Sequence, residues 1–572
     1  MNEMDKINRS ETATSQGTPS TKKKRHNKNK NNKSFPKRES KRDPSDRRFD
    51  GSGVDSRDGD ANGPRMGSAT NSNAMNDIAW YDRYPELLRS ASKVPFVTRP
   101  GMSIGYGNYG TAEAQFTPIP GIMRIEYQAA VGTSTNSLSP VSACARGVYD
   151  QIRDAYSGNL QTQPADLFMY MMHLCQFRAY IAWLKRIYGV INFYTPFNRF
   201  APVKLFSAMF PDSMQFYINR RGRFDDWVAN KNSLLSCINQ LVYMANKYIA
   251  PADMAVFSRQ RWMNENVYTD DNSVLAQWYV FAPTGFWCVD GVNGENGTEM
   301  NFLPFAAADD TEKPYTVLNA YRYGLRLYKA LADWGDALTM NGYIARAFSG
   351  KLEPPVDLLP EDYTVRPVYS LEVLMQIHNA KVFDEYSELK WTQDPLTHAI
   401  LVNPAGTYDL TETLLDLPMD EPDQTSIVIA SRLAPVIIKH NDGREDVNFM
   451  HCGTEIVKGV YITSATSNLD DPDFMSMEKV SFLLNNDLGS DEHRSDYLVK
   501  RLWLLSQYST FNMAPMMHFM YRESGDNASN TLRFLTTYGH SYNVTAVDKQ
   551  VLANMHLVCQ QSEFNIYRPH LA

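Results

Sequence analysis

Apolar side chains recur at steps of three and four in five stretches of the chain, and each stripe predicts a helix. In "SPVSACARGVYDQIRDAYSG", Ser139 and Pro140 mark an entrance, Val141, Cys144, Val148 and Ile152 share a face, and Gly158 marks an exit. "QPADLFMYMMHLCQFRAYIAWLKRIYGV" starts at Pro164 and is apolar nearly all round, the pattern of a helix at the centre of a body. One helix is expected over "RFDDWVANKNSLLSCINQLVYMANKYIAP", with Trp227, Leu234, Ile238, Leu241 and Met244 inward and a stop before Pro251. Tyr315, Leu318, Tyr321, Leu325, Tyr328 and Leu331 form a fourth stripe, and Val547, Val551, Met555 and Val558 a fifth.

The texture changes at residues 276 to 310 and again from 388 to 465. "AQWYVFAPTGFWCV", "THAILVNP" and "TEIVKGVYITSA" read as strands, punctuated by turn clusters such as "DGVNGENG" and "NDGRED". No repeat is visible at solenoid periods. The expected fold class is therefore mainly α, with a smaller mixed or β-containing insertion.

The first 75 residues hold only Ile7, Phe35, Phe49 and Val54 from the Leu/Ile/Val/Phe set. Ordering a residue costs about 1–2 kcal/mol of backbone entropy, and little here can be buried to offset it. A disordered arm is expected over 1–75, with a packed body starting near Asn76, where "NDIAWYDRYPELL" brings in Trp80, Tyr81, Tyr84, Leu87 and Leu88. Charge follows the same border. The arm carries 17 Lys+Arg and 10 Asp+Glu, net +7, while the whole chain is net -7, so the remainder is net -14.

Within the arm, residues 20–48 hold 13 basic side chains against Glu39, Asp43 and Asp46. These are Lys22, Lys23, Lys24, Arg25, Lys28, Lys30, Lys33, Lys37, Arg38, Lys41, Arg42, Arg47 and Arg48. A flexible polycation binds nucleic-acid phosphates through counterion release without reading sequence. A targeting tract or a solubilising tail would use the same residues.

Catalytic signals are weak throughout. "GYGNYG" (Gly105, Gly107, Gly110) matches a dinucleotide-loop pattern but lacks the preceding strand and following helix that give it meaning. His451 and Cys452 stand without the spacing of a metal site, and they fit adjacent positions on a strand. The pairs Asp225-Asp226, Asp270-Asp271, Asp309-Asp310 and Asp470-Asp471 fit surface solvation or capping. Six scattered cysteines fit free thiols in a reducing compartment. The N-terminus lacks the apolar region of a signal peptide. The most apolar stretch, Leu167 to Leu184, is interrupted by Arg178 and reads as a core helix rather than a membrane span. No cofactor, metal or enzymatic activity is expected, and the balance falls on a binding or structural protein.

Several stretches resemble picobirnavirus capsid proteins, in order along the chain: "NDIAWYDRYPELLRSASKVPF" (Asn76 to Phe96), "IPGIM" (Ile119 to Met123), "QPADLFMYMM" (Gln163 to Met172), "YTPFNRFAPVKL" (Tyr194 to Leu205), "LMQIHNAK" (Leu374 to Lys381), "GTEIVKGVYITSAT" (Gly453 to Thr466) and "NMHLVCQQSEF" (Asn554 to Phe564). The resemblance implies a coat subunit of a segmented double-stranded RNA virus, a mainly helical shell part with a projecting part, and intertwined homodimers closing an icosahedral shell. Assembly in the host cytoplasm, residence in the virion, and contact with a host membrane or receptor during entry go with it. The expected layout is an arm over 1–75, a helical shell region over 76–270, a mixed α/β region with the projection over 271–450, and a mainly helical C-terminal shell region over 451–572.

The family also implies N-terminal self-processing in some members. The chemical candidate here is the bond Asn73–Ala74 in "TNSNAMND", while an uncleaved linker accounts for the same residues. Two readings from other classes compete with the coat protein: a non-capsid RNA-binding regulatory protein with a helical partner-binding body, and an enzyme whose site carries no recognisable motif.

Overall fold

The computed structural model describes residues 84–93, 104–107, 114–117, 121–156, 158–193, 201–218, 221–271, 276–294, 297–305, 315–383, 390–404, 414–440, 448–463, 477–480, 483–484, 504–522 and 532–566. The chain divides into two units, residues 1–95 and 96–572. In the first, α1 (Pro85–Ala91) begins on a proline and exposes every side chain.

The second unit opens with the antiparallel pair β1 (Ile104–Gly107) and β2 (Ala114–Thr117), followed by β3 (Ile122–Ala129). A helical block comes next: α2 (Pro140–Ala155), α3 (Pro164–Ile191), α4 (Ala201–Ala208), α5 (Asp212–Ile218), α6 (Arg221–Ala229), α7 (Lys231–Ala245) and α8 (Ala255–Glu265). Then follow β4 (Tyr268–Thr269), β5 (Trp278–Pro283), β6 (Gly285–Gly294), β7 (Gly297–Pro304), α9 (Val317–Ala332), α10 (Ala337–Ala347), α11 (Leu371–His378), β8 (Lys390–Gln393), β9 (Ile400–Leu401), β10 (Leu414–Asp416) and α12 (Gln424–Ala430). The remainder holds β11 (Val436–His440), β12 (Asn448–Cys452), β13 (Glu455–Thr463), β14 (Met477–Lys479), β15 (Leu483–Leu484), β16 (Met517–Arg522), β17 (Leu532–Tyr538), β18 (Val544–Ala546) and the C-terminal helix α13 (Lys549–Glu563). Helices predominate, and the sheets are small, as expected for the mainly α class.

Helix α3 is the hub. Pro140 and Pro164 occupy first-turn positions of α2 and α3, where a missing N–H costs nothing. Of the 28 residues of α3, 24 are buried, because α2, α4, α7, α8, α9, α10, β6 and β7 pack around it. That environment accounts for the apolar stretch Leu167 to Leu184. Among the described residues no helix is long and apolar enough to cross a membrane.

Five strands form one mixed sheet in the order β14-β13-β3-β5-β4, with β3 and β5 parallel. Every residue of β3 is buried, since the sheet is covered on both faces. Alternation sends Met123, Ile125 and Tyr127 into one apolar cluster and Arg124, Glu126 and Gln128 to the opposite face. A second sheet, β6-β7-β8-β9, lies against α3. The pair β10-β18 joins residues 414–416 to 544–546 across more than a hundred residues of chain.

Three expectations are corrected. The single helix over Arg223–Pro251 is two, α6 and α7, and the second ends at Ala245; the Asn230 side-chain amide donates to Asp226 O at 2.8 Å and closes the first. Trp227, Leu234, Ile238 and Leu241 do point inward, with Met244 half-buried. On α9 the buried line is Val317, Ala320, Gly324, Leu327 and Leu331, which leaves Leu318 52% exposed. The small residues face inward because a Cβ on Gly324 would lie 2.9 Å from the Tyr180 ring; the helix seats closer than a stripe of Leu and Tyr permits.

On α13 the inward residues are Leu552, Ala553, His556 and Gln560 rather than Val551 and Val558. His556 Nε2 lies 2.9 Å from Ala434 O and Gln560 Nε2 donates to Val131 O at 2.7 Å, so polar side chains are drawn inward by buried carbonyls. The described part of residues 451–572 holds more strand than helix, and the rest of that range lies outside the described residues. Short apolar runs such as "MHFMYR" and "LRFLTTY" have no period of their own to choose between the two, and their pairing in β16 and β17 decides.

Candidate functional site

The basic residues from Lys22 to Arg48 and the Asn73–Ala74 bond lie outside the described residues. Of the "GYGNYG" glycines, Gly105 and Gly107 sit on β1 of a two-stranded pair, not on a strand-to-helix phosphate loop. His451 and Cys452 are adjacent on β12, and no group of three or more metal-ligating side chains occurs among the described residues. All six cysteines are free. Burial pushes the Cys144 thiol up to about 12, so it behaves as a small hydrophobe.

The described charge chemistry is instead structural and buried. Arg186, in the last third of α3, has no exposed surface and donates to the carbonyls of Met263, Asn266 and Phe281 at 3.2, 3.1 and 2.6 Å. Burial lowers it to about 10, still charged at neutral pH. Three carbonyls from the end of α8, the following turn and β5 thus take their geometry from one side chain. Nearer the middle of the same helix, Arg178 pairs with Glu353 and donates to Tyr248 O at 3.0 Å, while Arg261 on α8 reaches the other Glu353 oxygen at 3.5 Å.

Among the described residues the largest ionic joint lies where α8, β13 and α13 meet. Arg259 Nε and Nη2 grip both oxygens of Glu455 at 2.7–2.9 Å, and its Nη1 donates to Gln376 of α11 at 3.1 Å. Thr454 Oγ1 donates to Glu455 at 2.8 Å. Glu563, the last residue of α13, stands 3.9 Å from Arg259. Burial raises its carboxyl to about 7; Arg259 pulls the other way and the Glu455 charge pushes with burial.

A second joint uses His378 at the end of α11. Its Nε2 lies 2.9 Å from Asp416 Oδ2 and its Nδ1 2.8 Å from Ala514 O, so both ring nitrogens face acceptors. Asp416 also accepts the backbone N–H groups of Tyr542 and Asn543. Burial works against its charge, but the His378 hydrogen bond and those N–H groups hold the carboxyl below its usual range. On the sheet, Arg124 donates to Phe210 O at 2.9 Å, pairs with Glu126 at 3.0 Å and stacks 4.0 Å from the Tyr461 ring centre. Asp270, of the second aspartate pair, accepts from the Gln277 and Asn512 N–H groups and the Tyr279 hydroxyl, which is loop tethering rather than acid–base chemistry. These joints fasten segments far apart in the chain to one another.

Large apolar residues left on helix exteriors and the ordered sequence matches are features of an assembling subunit. The sequence profile of the family described as "Picobirnavirus, Capsid protein" matches residues 80–390, more than half of the chain. The chain belongs to the picobirnavirus capsid protein family. The capsid protein precursor of Human picobirnavirus (strain Human/Thailand/Hy005102/-) is 26% identical over 543 residues, covering 88% of this chain and 93% of that protein. The solved structure described as the X-ray crystallographic structure of the picobirnavirus capsid is 19% identical, with a TM-score of 0.68 over 86% of this chain and 99% of that one; at that identity the likeness concerns the fold.

As a picobirnavirus capsid protein the chain is a component of the virion and forms its shell. The buried joints are thus parts of a coat subunit. Sequence patterning offered no route to them: Arg259 and Glu455 are separated by 196 positions, and each reads in isolation as an exposed charge.

Proposed function

We propose that the subunit pairs into homodimers, that the dimers close an icosahedral shell around segmented double-stranded RNA, and that the arm holds this RNA through Lys22 to Arg48. The observation that carries the arm's role is the division of charge: net +10 over residues 20–48 against net -14 beyond residue 75. Inward-pointing arms would neutralise phosphates, while the acidic body would not grip the duplex, leaving it free to move inside the shell. Electron microscopy of the purified full-length chain tests assembly: uniform closed particles are expected, and a protein that binds RNA but never closes a shell would favour a regulatory RNA-binding role.

Processing is proposed at Asn73–Ala74, in keeping with the word "precursor" in the name of the Human picobirnavirus relative. The Asn73 side-chain nitrogen attacks its own backbone carbonyl carbon, a cyclic imide forms, the bond to Ala74 breaks, and the Ala74 nitrogen leaves as an amine with the transferred proton. Intact-mass measurement of purified particles should find a chain beginning at Ala74; a full-length mass would exclude the step. Contact with a host membrane or receptor is assigned to the shell exterior, since the arm has no amphipathic pattern.

A further inference from the structure

Helix α13 has two different sides. One is fastened to the body through Leu552, Ala553, His556 and Gln560, with Glu563 at the ionic joint. The other leaves Val551 52% and Val558 61% exposed, with Met555 half-buried between them. These three residues follow one another at steps of four and three, a straight apolar line along the helix.

The flanks of the line are quiet. From Gln550 to Ser562 there is no Asp, Glu, Lys or Arg. Gln550 Nε2 donates to Asn554 Oδ1 at 3.1 Å and Ser562 Oγ to Val558 O at 3.0 Å, so the polar neighbours are occupied within the helix itself. A helix face that stays in water is normally charged, whereas the centre of a protein contact is depleted of charge and enriched in methionine.

We propose that this face is a two-fold contact between two copies of the chain in the shell, α13 lying antiparallel on α13 with the axis near Met555. The proposal rests on the capsid reading, in which copies of one chain must cover one another. Its geometry is self-complementary, as an isologous contact requires. Val551 of one copy meets Val558 of the other, Met555 meets Met555, and the helix dipoles oppose. Lys549 of each copy comes against the last turn of the other, where the dipole favours a cation. A single helix pair is smaller than a stable interface, so α13 is one element of a larger contact.

Two sets of full-length variants test it. Met555→Cys in a Cys559→Ser background should give a disulfide-linked dimer on mild oxidation of assembled shells, whereas Leu552→Cys, on the face turned into its own body, and Leu338→Cys, exposed on α10, should not. Val551→Lys with Val558→Lys should leave the thermal melting of the subunit unchanged but weaken copy-to-copy association about tenfold or more, through four ammonium groups brought into one contact. Shells that close normally with both lysines, or closed shells of the Met555→Cys variant that do not cross-link, overturn the α13 contact and leave the capsid reading standing. A wild-type chain that forms no closed particles removes the capsid reading and the contact with it.

Discussion

His173 and His378 are both fully buried, and each is engaged through both ring nitrogens. His173 Nδ1 accepts the Val289 N–H at 2.8 Å and its Nε2 donates to Leu327 O at 2.8 Å, which suits a neutral ring; burial accordingly lowers it to about 4. His378 instead has an acceptor at each ring nitrogen. Each holds segments together. Glu563 gives the clearest pH signature. Its folded carboxyl keeps a proton to about pH 7, against a reference value of 4.5, so between these values the native state binds more protons than the unfolded chain. Stability from this group therefore falls as pH rises from about 4.5 to about 7 and is level above. Glu563→Gln should flatten that slope, seen as melting temperature against pH. Asp416, held below its reference value of 3.8, acts in a separate window: its contribution is lost as pH falls below that value.

Close approach governs which side of an element goes inward. On α9, Ala320 and Gly324 bring the helix against Tyr180 and Leu241, and larger residues are left to the outer seam, where Tyr321 donates to Gln240 at 2.7 Å. The turn from β5 into β6 is tighter still. A Cβ on Gly285 would overlap Leu303 O and lie 2.8 Å from Pro304 Cα, both backbone atoms of the paired strand β7. Neither can rotate away. Gly285→Ala should therefore lower stability by about 1–3 kcal/mol or more, whereas Gly335→Ala, with no atom within 4 Å, should change it little. Thermal unfolding of the two variants side by side provides the check.

For the assembled molecule the proposed role of the arm turns on charge rather than shape. An arm that works by counterion release needs positive charge and no fixed geometry. Replacing the lysines between Lys22 and Lys33 with arginine should leave packaged RNA unchanged, and replacing them with glutamine should reduce it while shells still close. The ratio of ultraviolet absorbance by nucleic acid to that by protein in purified particles measures this directly, and RNA content equal to wild type in the glutamine variant would sink the proposed role. In the body, the buried hub helix and the Arg259–Glu455 pair, with Glu563 of the C-terminal helix beside it, hold α8, β13 and α13 together.

Local patterning was enough to place the central helix, because a stretch apolar nearly all round has nowhere to lie but inside. It also placed the buried line Val141, Cys144, Val148 and Ile152, the predominance of helix and the border between basic N-terminal segment and acidic remainder. These properties depend on residues near one another in the chain. The inward side of α13 was decided instead by the Ala434 and Val131 carbonyls, 122 and 429 positions away, whose buried lone pairs required His556 and Gln560. The burial of Arg124 and Glu126 was likewise decided by cover on both faces of the sheet. A polar side chain turns inward only when a distant partner meets it there, and such partners come together only in the folded chain.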